Sequence, residues 1–208
     1  MINLYLIRHG RQNSTLCNVD VELSSIGQSQ TELLRKRLES YPIDALYCSH
    51  LIRAKQTAEI LNQGLKLPII IREELQEISF GLLTGMTEQY IWEHFREFKE
   101  EQYKLLDDIP YPGGENGTSV YERAMPILQE ILQSGKKNIV IVTHGGVIRV
   151  LLAALFGKTQ AKRFLFGVSL ENTSITGLVY NPENDRFYLE RFNDHAHLEN
   201  HSELLRKN

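Results

Sequence analysis

Hydrophobic and polar positions along this chain keep two rhythms. Four short apolar runs, "NLYLIR" (3–8), "IDALYCS" (43–49), "LPIIIRE" (67–73) and "KNIVIVTH" (137–144), read as buried strands. Runs of this length, bounded by turn or charged residues, suit strands covered on both faces. Pro68 opens the third, and the fourth is a β-branched run ending in His144. Helical spacing fills the intervals. In "LSSIGQSQTELLRKRLES" (23–40) Ser24 is the expected N-cap, with Leu33, Leu34 and Leu38 at helical separations. "LIRAKQTAEILNQGL" (51–65) puts Ile52, Ala58 and Leu61 near one face, with Gly64 as the expected stop. "TSVYERAMPILQEILQSG" (118–135) reads as a helix that Pro126 is expected to kink, and "GGVIRVLLAALFG" (145–157) as a short buried one. "TSITGLVYN" (173–181) and "RFYLERFN" (186–193) alternate as two late strands around the turn "PEND". The tail from Asp194 to Asn208 is polar.

One stretch breaks the rhythm. Residues 77–115 carry loop signals at both ends and an aromatic-rich helical middle with Tyr90, Trp92, Phe95, Phe98 and Tyr103. Most of these aromatics are expected to pack the stretch onto the body. The segment at about 78–115 is expected to act as a helical cap over a site, as inserted segments commonly carry specificity. No repeat and no internal linker divides the chain, so residues 1–208 are expected to form one domain. Strands alternating with helices imply an α/β fold with helices on both faces of a mostly parallel sheet. Ligands in such folds bind beyond the carboxyl ends of the strands.

Composition narrows the function class. The net charge of -3 offers no basic field for nucleic acid or for an anionic membrane, so any anion site has to be built locally. The most apolar segment, "VIRVLLAALF" (147–156), contains Arg149 and is too short to span a bilayer. The N-terminus lacks a basic n-region, and Cys17 and Cys48 form neither a disulfide framework nor a metal motif. A cytoplasmic protein is expected. His195, His197 and His201 sit in the tail without a recognised ligand pattern, so no metal site is expected there.

Three strand exits gather chemistry. The first ends in Arg8-His9-Gly10, the second leads through Ser49 and His50 to Arg53, and the fourth ends in Thr143-His144-Gly145-Gly146. Parallel strands bring these exits to one edge of the sheet. A lone Arg-His-Gly is ordinarily a turn, Arg53 alone a helix-surface arginine, and His144 alone a core histidine. Their convergence is what points to phosphoryl chemistry. Guanidinium grips two phosphate oxygens at once, and imidazole can carry a phosphoryl group covalently. Glycine after each histidine would let backbone approach the anion, and the helix starting near Gly145 would aim its free N–H groups at it. Phosphoryl transfer needs mainly positioning and charge stabilisation. A group to protonate the leaving alcohol and then activate water is also required. Glu77 is the best-placed candidate, with Glu73 and Glu74 as rivals on spacing.

Taken in order, "RHG", "SHLIRAKQTAEI", "LQEISFGLLTG", "YPGGENGTSVYER" and "VTHGGVIR" resemble the histidine phosphatase superfamily, the phosphoglycerate-mutase-like group. The likeness runs from Leu4 to about Leu198 and includes "LENTSI" and "FNDHAHL". The resemblance implies a three-layer α/β/α sandwich with a mostly parallel central sheet and no metal or other cofactor. It makes His9 the nucleophile that becomes phosphohistidine, Arg8 and Arg53 the phosphate-binding arginines, and His144 the second histidine at the phosphoryl group, beside Gly145. It also selects Glu77 over Glu73 and Glu74 as general acid/base, and makes a homodimer the family expectation. Arg11-Gln12 departs from the acidic or amide residue and Thr or Ser common in the family. The following loop is short, and the spacing leaves the role of Asn18 open. Arg11 is expected to point to solvent rather than to the pocket mouth.

The leading expectation is therefore a metal-independent phosphomonoesterase acting on a small phosphorylated metabolite. A 2,3-bisphosphoglycerate-dependent mutase is the alternative. It is less favoured because such mutases usually have longer chains with a larger insertion after the acid/base. A phospho-ligand binding module without catalysis is a third, at odds with the presence of every catalytic group.

Overall fold

The computed structural model describes residues 1–206; Lys207 and Asn208, the end of the polar tail, lie outside the described residues. Six strands form one sheet: β1 (Ile2–Arg8), β2 (Ala45–Ser49), β3 (Ile69–Arg72), β4 (Asn138–Thr143), β5 (Ile175–Asn181) and β6 (Arg186–Asp194). Their order is β3-β2-β4-β1-β5-β6. The first four are mutually parallel, whereas β5 runs against both of its neighbours.

Period-two side-chain placement explains why the apolar runs read as continuous. Leu4 and Leu6 of β1, Tyr47 of β2 and Ile139 and Ile141 of β4 face one core cluster. Ile7, Cys48, Val140 and Val142 face the other. The first cluster is closed by α5 (Gly117–Gln133) and α6 (Gly145–Leu155), the second by α1 (Ser25–Leu38) and α2 (Ile52–Leu65). The result is the three-layer α/β/α sandwich with a mostly parallel sheet.

The helix signals resolve with two differences. Ser24 caps α1 by accepting from the Gly27 N–H at 3.1 Å, and the last turn carries Arg35, Lys36 and Arg37 at the negative end of the helix dipole. Gly64 does not stop α2; the helix runs to Leu65 and ends on Lys66 in the left-handed region at φ 53°. Asn116 caps α5, and the helix continues past Pro126, which sits on its exposed side.

The stretch from 78 to 115 forms two short helices, α3 (Glu88–His94) and α4 (Arg96–Tyr103), between loops. Ile91 is buried and Phe95 and Phe98 pack on the first core cluster, while Tyr90, Trp92 and Tyr103 are exposed. Backbone bonds join this stretch to the loop after β1: Cys17 N–H donates to Met86 O at 2.9 Å, and Gly85 N–H donates to Cys17 O at 2.8 Å.

The tail is not merely a polar surface segment. After β6 it turns back across α1, burying Leu198 completely and Leu204 nearly so. Leu204 O accepts from Arg11 Nη2 at 2.9 Å and from the buried Gln30 amide at 2.8 Å. Arg11 therefore ties the tail down rather than extending into solvent.

Candidate active site

Register brings the three exits together. Arg8 pairs with Thr143 across β1 and β4, and Cys48 pairs with Val142 across β2 and β4, so Ser49 comes level with Arg8 and Thr143, and His9 and His144 follow one row on at the carboxyl edge. His9 N–H continues the ladder to Thr143 O at 3.0 Å. From the other side, the Asn172 amide donates to His9 O at 2.8 Å, and Thr173 N–H donates to Arg8 O at 2.9 Å. The nucleophile candidate thus sits on backbone braced by β4 on one side and by the segment leading into β5 on the other.

The ring contacts of His9 define its protonation. Its Nδ1 lies 2.7 Å from Gly10 O; a carbonyl only accepts, so Nδ1 carries the hydrogen. Arg53 Nε–H donates to Nε2 at 3.1 Å, which requires a lone pair there. Burial, with Arg53 and Arg8 nearby, pushes the His9 pKa well below the ordinary value. At neutral pH this imidazole is uncharged and presents its Nε2 lone pair among arginines. His144 lies beside it, ring centroids 5.0 Å apart, fully buried, and its Nε2 is 2.9 Å from Ser49 Oγ. Burial, then Arg53, lowers its pKa too.

The two phosphate-clamp candidates are held differently. Arg53 is 2 % exposed, and beyond His9 its guanidinium donates to Val19 O at 3.0 Å and to Asn18 Oδ1 at 3.2 Å. Asn18 has φ 49° and donates its own amide to Ile78 O at 3.0 Å. Its place is now clear: it links Arg53 to the loop that carries Glu77. Arg8 donates through Nη1 to Leu170 O, and its Nε is buried without an acceptor. Burial lowers the Arg8 pKa to about 9, which leaves it cationic at neutral pH.

Glu77 stands across from this group. Its Oε1 accepts from Ile78 N–H at 2.9 Å and its Oε2 from Gly146 N–H at 3.3 Å. Arg123 pins the loop behind it, donating to the carbonyls of Glu74 and Glu77 while paired with Glu115. Glu73 and Glu74, in the 3₁₀ turn just before Glu77, border neither cavity of the site.

Two expectations about glycines change. A Cβ on Gly10 would meet Gly27 O at 2.7 Å, so this glycine lets the strand exit touch α1 rather than approach an anion. A Cβ on Gly146 would meet Glu77 Oε1 at 2.3 Å, so this one makes room for the carboxylate. Correspondingly, the Gly146 N–H at the start of α6 serves Glu77. A Cβ on Gly145 would stand 3.7 Å from Arg8 Nε, an ordinary contact.

Two adjoining cavities result, of about 340 Å³ around His9 and Arg53 and of about 200 Å³ around Gly145 and Gly146. Arg8, Glu77, Phe80 and Arg206 border both. Arg206 was not foreseen: it comes from the tail and is held by Glu171, Asn172 and Ser169. Ser49, Asn172 and the Phe80–Tyr111 stack, at 4.4 Å between centroids, were also missed. "LENTSI" carried a signal for Asn172; nothing in the sequence marks Arg206. His197 bonds Thr173 Oγ1 at 3.0 Å and lies near Arg37, so it serves tail docking. Among the described residues no group of three or more His, Cys, Asp or Glu could hold a metal ion.

The sequence model for the histidine phosphatase superfamily (branch 1) matches residues 4–195. Phosphoserine phosphatase 1 of Hydrogenobacter thermophilus is 30 % identical, over 95 % of each chain. A 2,3-bisphosphoglycerate-dependent phosphoglycerate mutase of Protochlamydia amoebophila is 25 % identical over 90 % of this chain and 98 % of its own. The solved structure of mycobacterial glucosyl-3-phosphoglycerate phosphatase with inorganic phosphate superposes with a TM-score of 0.85 at 26 % identity. It covers 95 % of this chain and 99 % of that one.

Proposed function

The chain belongs to the histidine phosphatase superfamily and is a phosphoric monoester hydrolase, and from this premise we propose a metal-independent reaction through phosphohistidine at His9. One observation carries the reading: a neutral, buried imidazole whose Nε2 lone pair accepts from Arg53, with the Arg8 charge nearby, at a cavity that Glu77 also borders.

In the first step His9 Nε2 attacks phosphorus, a P–N bond forms and the ester P–O bond breaks. Glu77 gives its proton to the departing alcohol oxygen. Arg8, Arg53 and His144 stabilise the charge spread over the phosphoryl oxygens. In the second step Glu77 takes a proton from water, which attacks phosphorus. The P–N bond breaks, and inorganic phosphate and neutral His9 remain. The substrate is a small phosphorylated metabolite. Supporting a phosphatase rather than a mutase is the modest 78–115 segment, whose α-helices are only α3 and α4. The same proposal places the protein in the cytoplasm, in keeping with the free thiols Cys17 and Cys48, and expects a homodimer.

Rapid acid-free quenching with 32P-labelled ester should trap an alkali-stable, acid-labile phosphoenzyme that His9→Ala cannot form. Hydrolysis of p-nitrophenyl phosphate should persist with EDTA. Turnover of 3-phosphoglycerate to its isomer with negligible hydrolysis would replace this reading with the mutase one.

A further inference from the structure

A compartment of about 420 Å³ lies under α3 and α4, next to the cavity that holds Glu77 and Gly146. Phe80, Tyr111 and Phe164 border both, and Phe80 also borders the His9 cavity. The remaining wall is largely apolar, with Leu83, Ile91 and Leu105. A space of this size and lining suits a ring-sized organic group, whereas a short polar alcohol would leave most of it unfilled.

Glu88, Lys99, Gln102 and Arg149 interrupt that apolar wall; Arg149 is already spent on the carbonyls of Phe166, Gly167 and Val168, which leaves Gln102 and Lys99 as the donors to account for. Gln102 is only 8 % exposed, and its Nε2, beside the Tyr111 side chain, makes no hydrogen bond of standard geometry. Buried amide N–H groups are almost always paired, so an unpaired one on a cavity wall marks a place where an acceptor belongs. Lys99 is one helical turn earlier on α4, three residues away and so on the same face. Its ammonium stands 5.5 Å from the Tyr103 ring centroid and 5.9 Å from that of Trp92. It forms no ion pair among the described residues. Burial lowers its pKa, and only Glu88 and the Cys17 thiol oppose that shift.

We propose that this compartment receives the alcohol part of the substrate, a ring-sized apolar body whose far end carries a carbonyl or carboxylate oxygen for Gln102 and Lys99. Phosphate sits at His9, the ester oxygen faces Glu77, and the body passes Phe80 into the compartment. This inference rests on the reading of His9 and Glu77 as the catalytic pair. It makes α3 and α4 the element that selects the substrate.

The test uses three esters of primary alcohols, so that leaving-group reactivity is matched: glycerol 3-phosphate, 2-naphthylmethyl phosphate and 6-carboxy-2-naphthylmethyl phosphate. Wild-type kcat/KM should rise about tenfold from the first to the second, and about tenfold again to the third, the usual worth of a filled apolar pocket and of a satisfied buried donor. Gln102→Leu and Lys99→Met should each remove most of the carboxylate's advantage, mainly through KM. The wild-type ranking requires no variant. A flat ranking, or a carboxylate advantage that survives both substitutions, would overturn the inference. Hydrolysis of p-nitrophenyl phosphate without any such preference would sink this inference alone. No hydrolysis of any ester would sink the catalytic reading beneath it.

Discussion

Replacing Gly146 with alanine separates the placement of Glu77 from the stability of the fold. Gly146 is the second residue of α6, and its φ lies outside the left-handed region, so alanine fits the backbone. The new Cβ would stand 2.3 Å from Glu77 Oε1 and 2.9 Å from Ile78 Cγ2, against an ordinary contact of 3.4 Å or more. The carboxylate must therefore retreat by ~1 Å, weakening its bond from Gly146 N–H. A displacement of ~1 Å in a reacting group costs on the order of 100-fold in rate. Stability moves little. Alanine gains about 1 kcal/mol of helix propensity, and crowding of buried Ile78 costs about 1–3 kcal/mol. The net change of at most about 2 kcal/mol shifts Tm by roughly 4–8 °C in a chain of this size. The assay is kcat/KM on p-nitrophenyl phosphate beside a thermal melt. Glu77→Gln should be equally slow, and the double variant should be no slower than Glu77→Gln, since both changes act on one group. A folded Gly146→Ala protein with activity within threefold of wild type would refute the placement of Glu77 as the acid/base.

Three further outcomes follow from the same contacts. His9 and His144 are neutral when folded, with pKa values far below 6.5, so the unfolded chain binds more protons under acid. Their contribution is intact above pH 6.5 and is lost as pH falls toward the folded values, by up to about 1.4 kcal/mol per pH unit for each group. Urea melts from pH 7 to 5 should show this fall, reduced in His144→Asn; an unchanged slope would mean that His144 is not buried neutral. Arg11→Ala removes a bond to Leu204 O and should loosen the tail that carries Arg206. Amide exchange at residues 198–206 should then quicken, with KM for phosphoesters rising several-fold, and protection equal to wild type would contradict the tether. Arg163→Ala breaks a pair with Asp108 in which the arginine is 3 % exposed, and should cost about 2–4 kcal/mol by chemical denaturation. A loss below about 1 kcal/mol would show that Gly117 and Thr118, which also donate to Asp108, suffice to hold it.

What the sequence by itself determined is set by local physics and strand direction. Continuous apolar runs marked the first four strands and alternation the last two, Ser24 marked a helix start, and parallel strands sent Arg8, His9, Arg53 and His144 to one edge, because side-chain period and chain direction are local properties. Glu77 could be chosen over Glu73 and Glu74 only by resemblance; of the three, the fold brings only Glu77 to the cavities. Tertiary structure alone decided the rest. Gly10 and Gly146 both lie within two residues of a site histidine, yet one admits α1 and the other admits a carboxylate, a difference set by residues distant in the chain. Arg206 reaches both cavities from the far end of the polar tail, since Leu198 and Leu204 are buried against the body and Arg11 and Gln30 tie its backbone down. The unpaired amide of Gln102 is invisible in any motif, because whether a polar group finds a partner depends on every chain segment that packs around it.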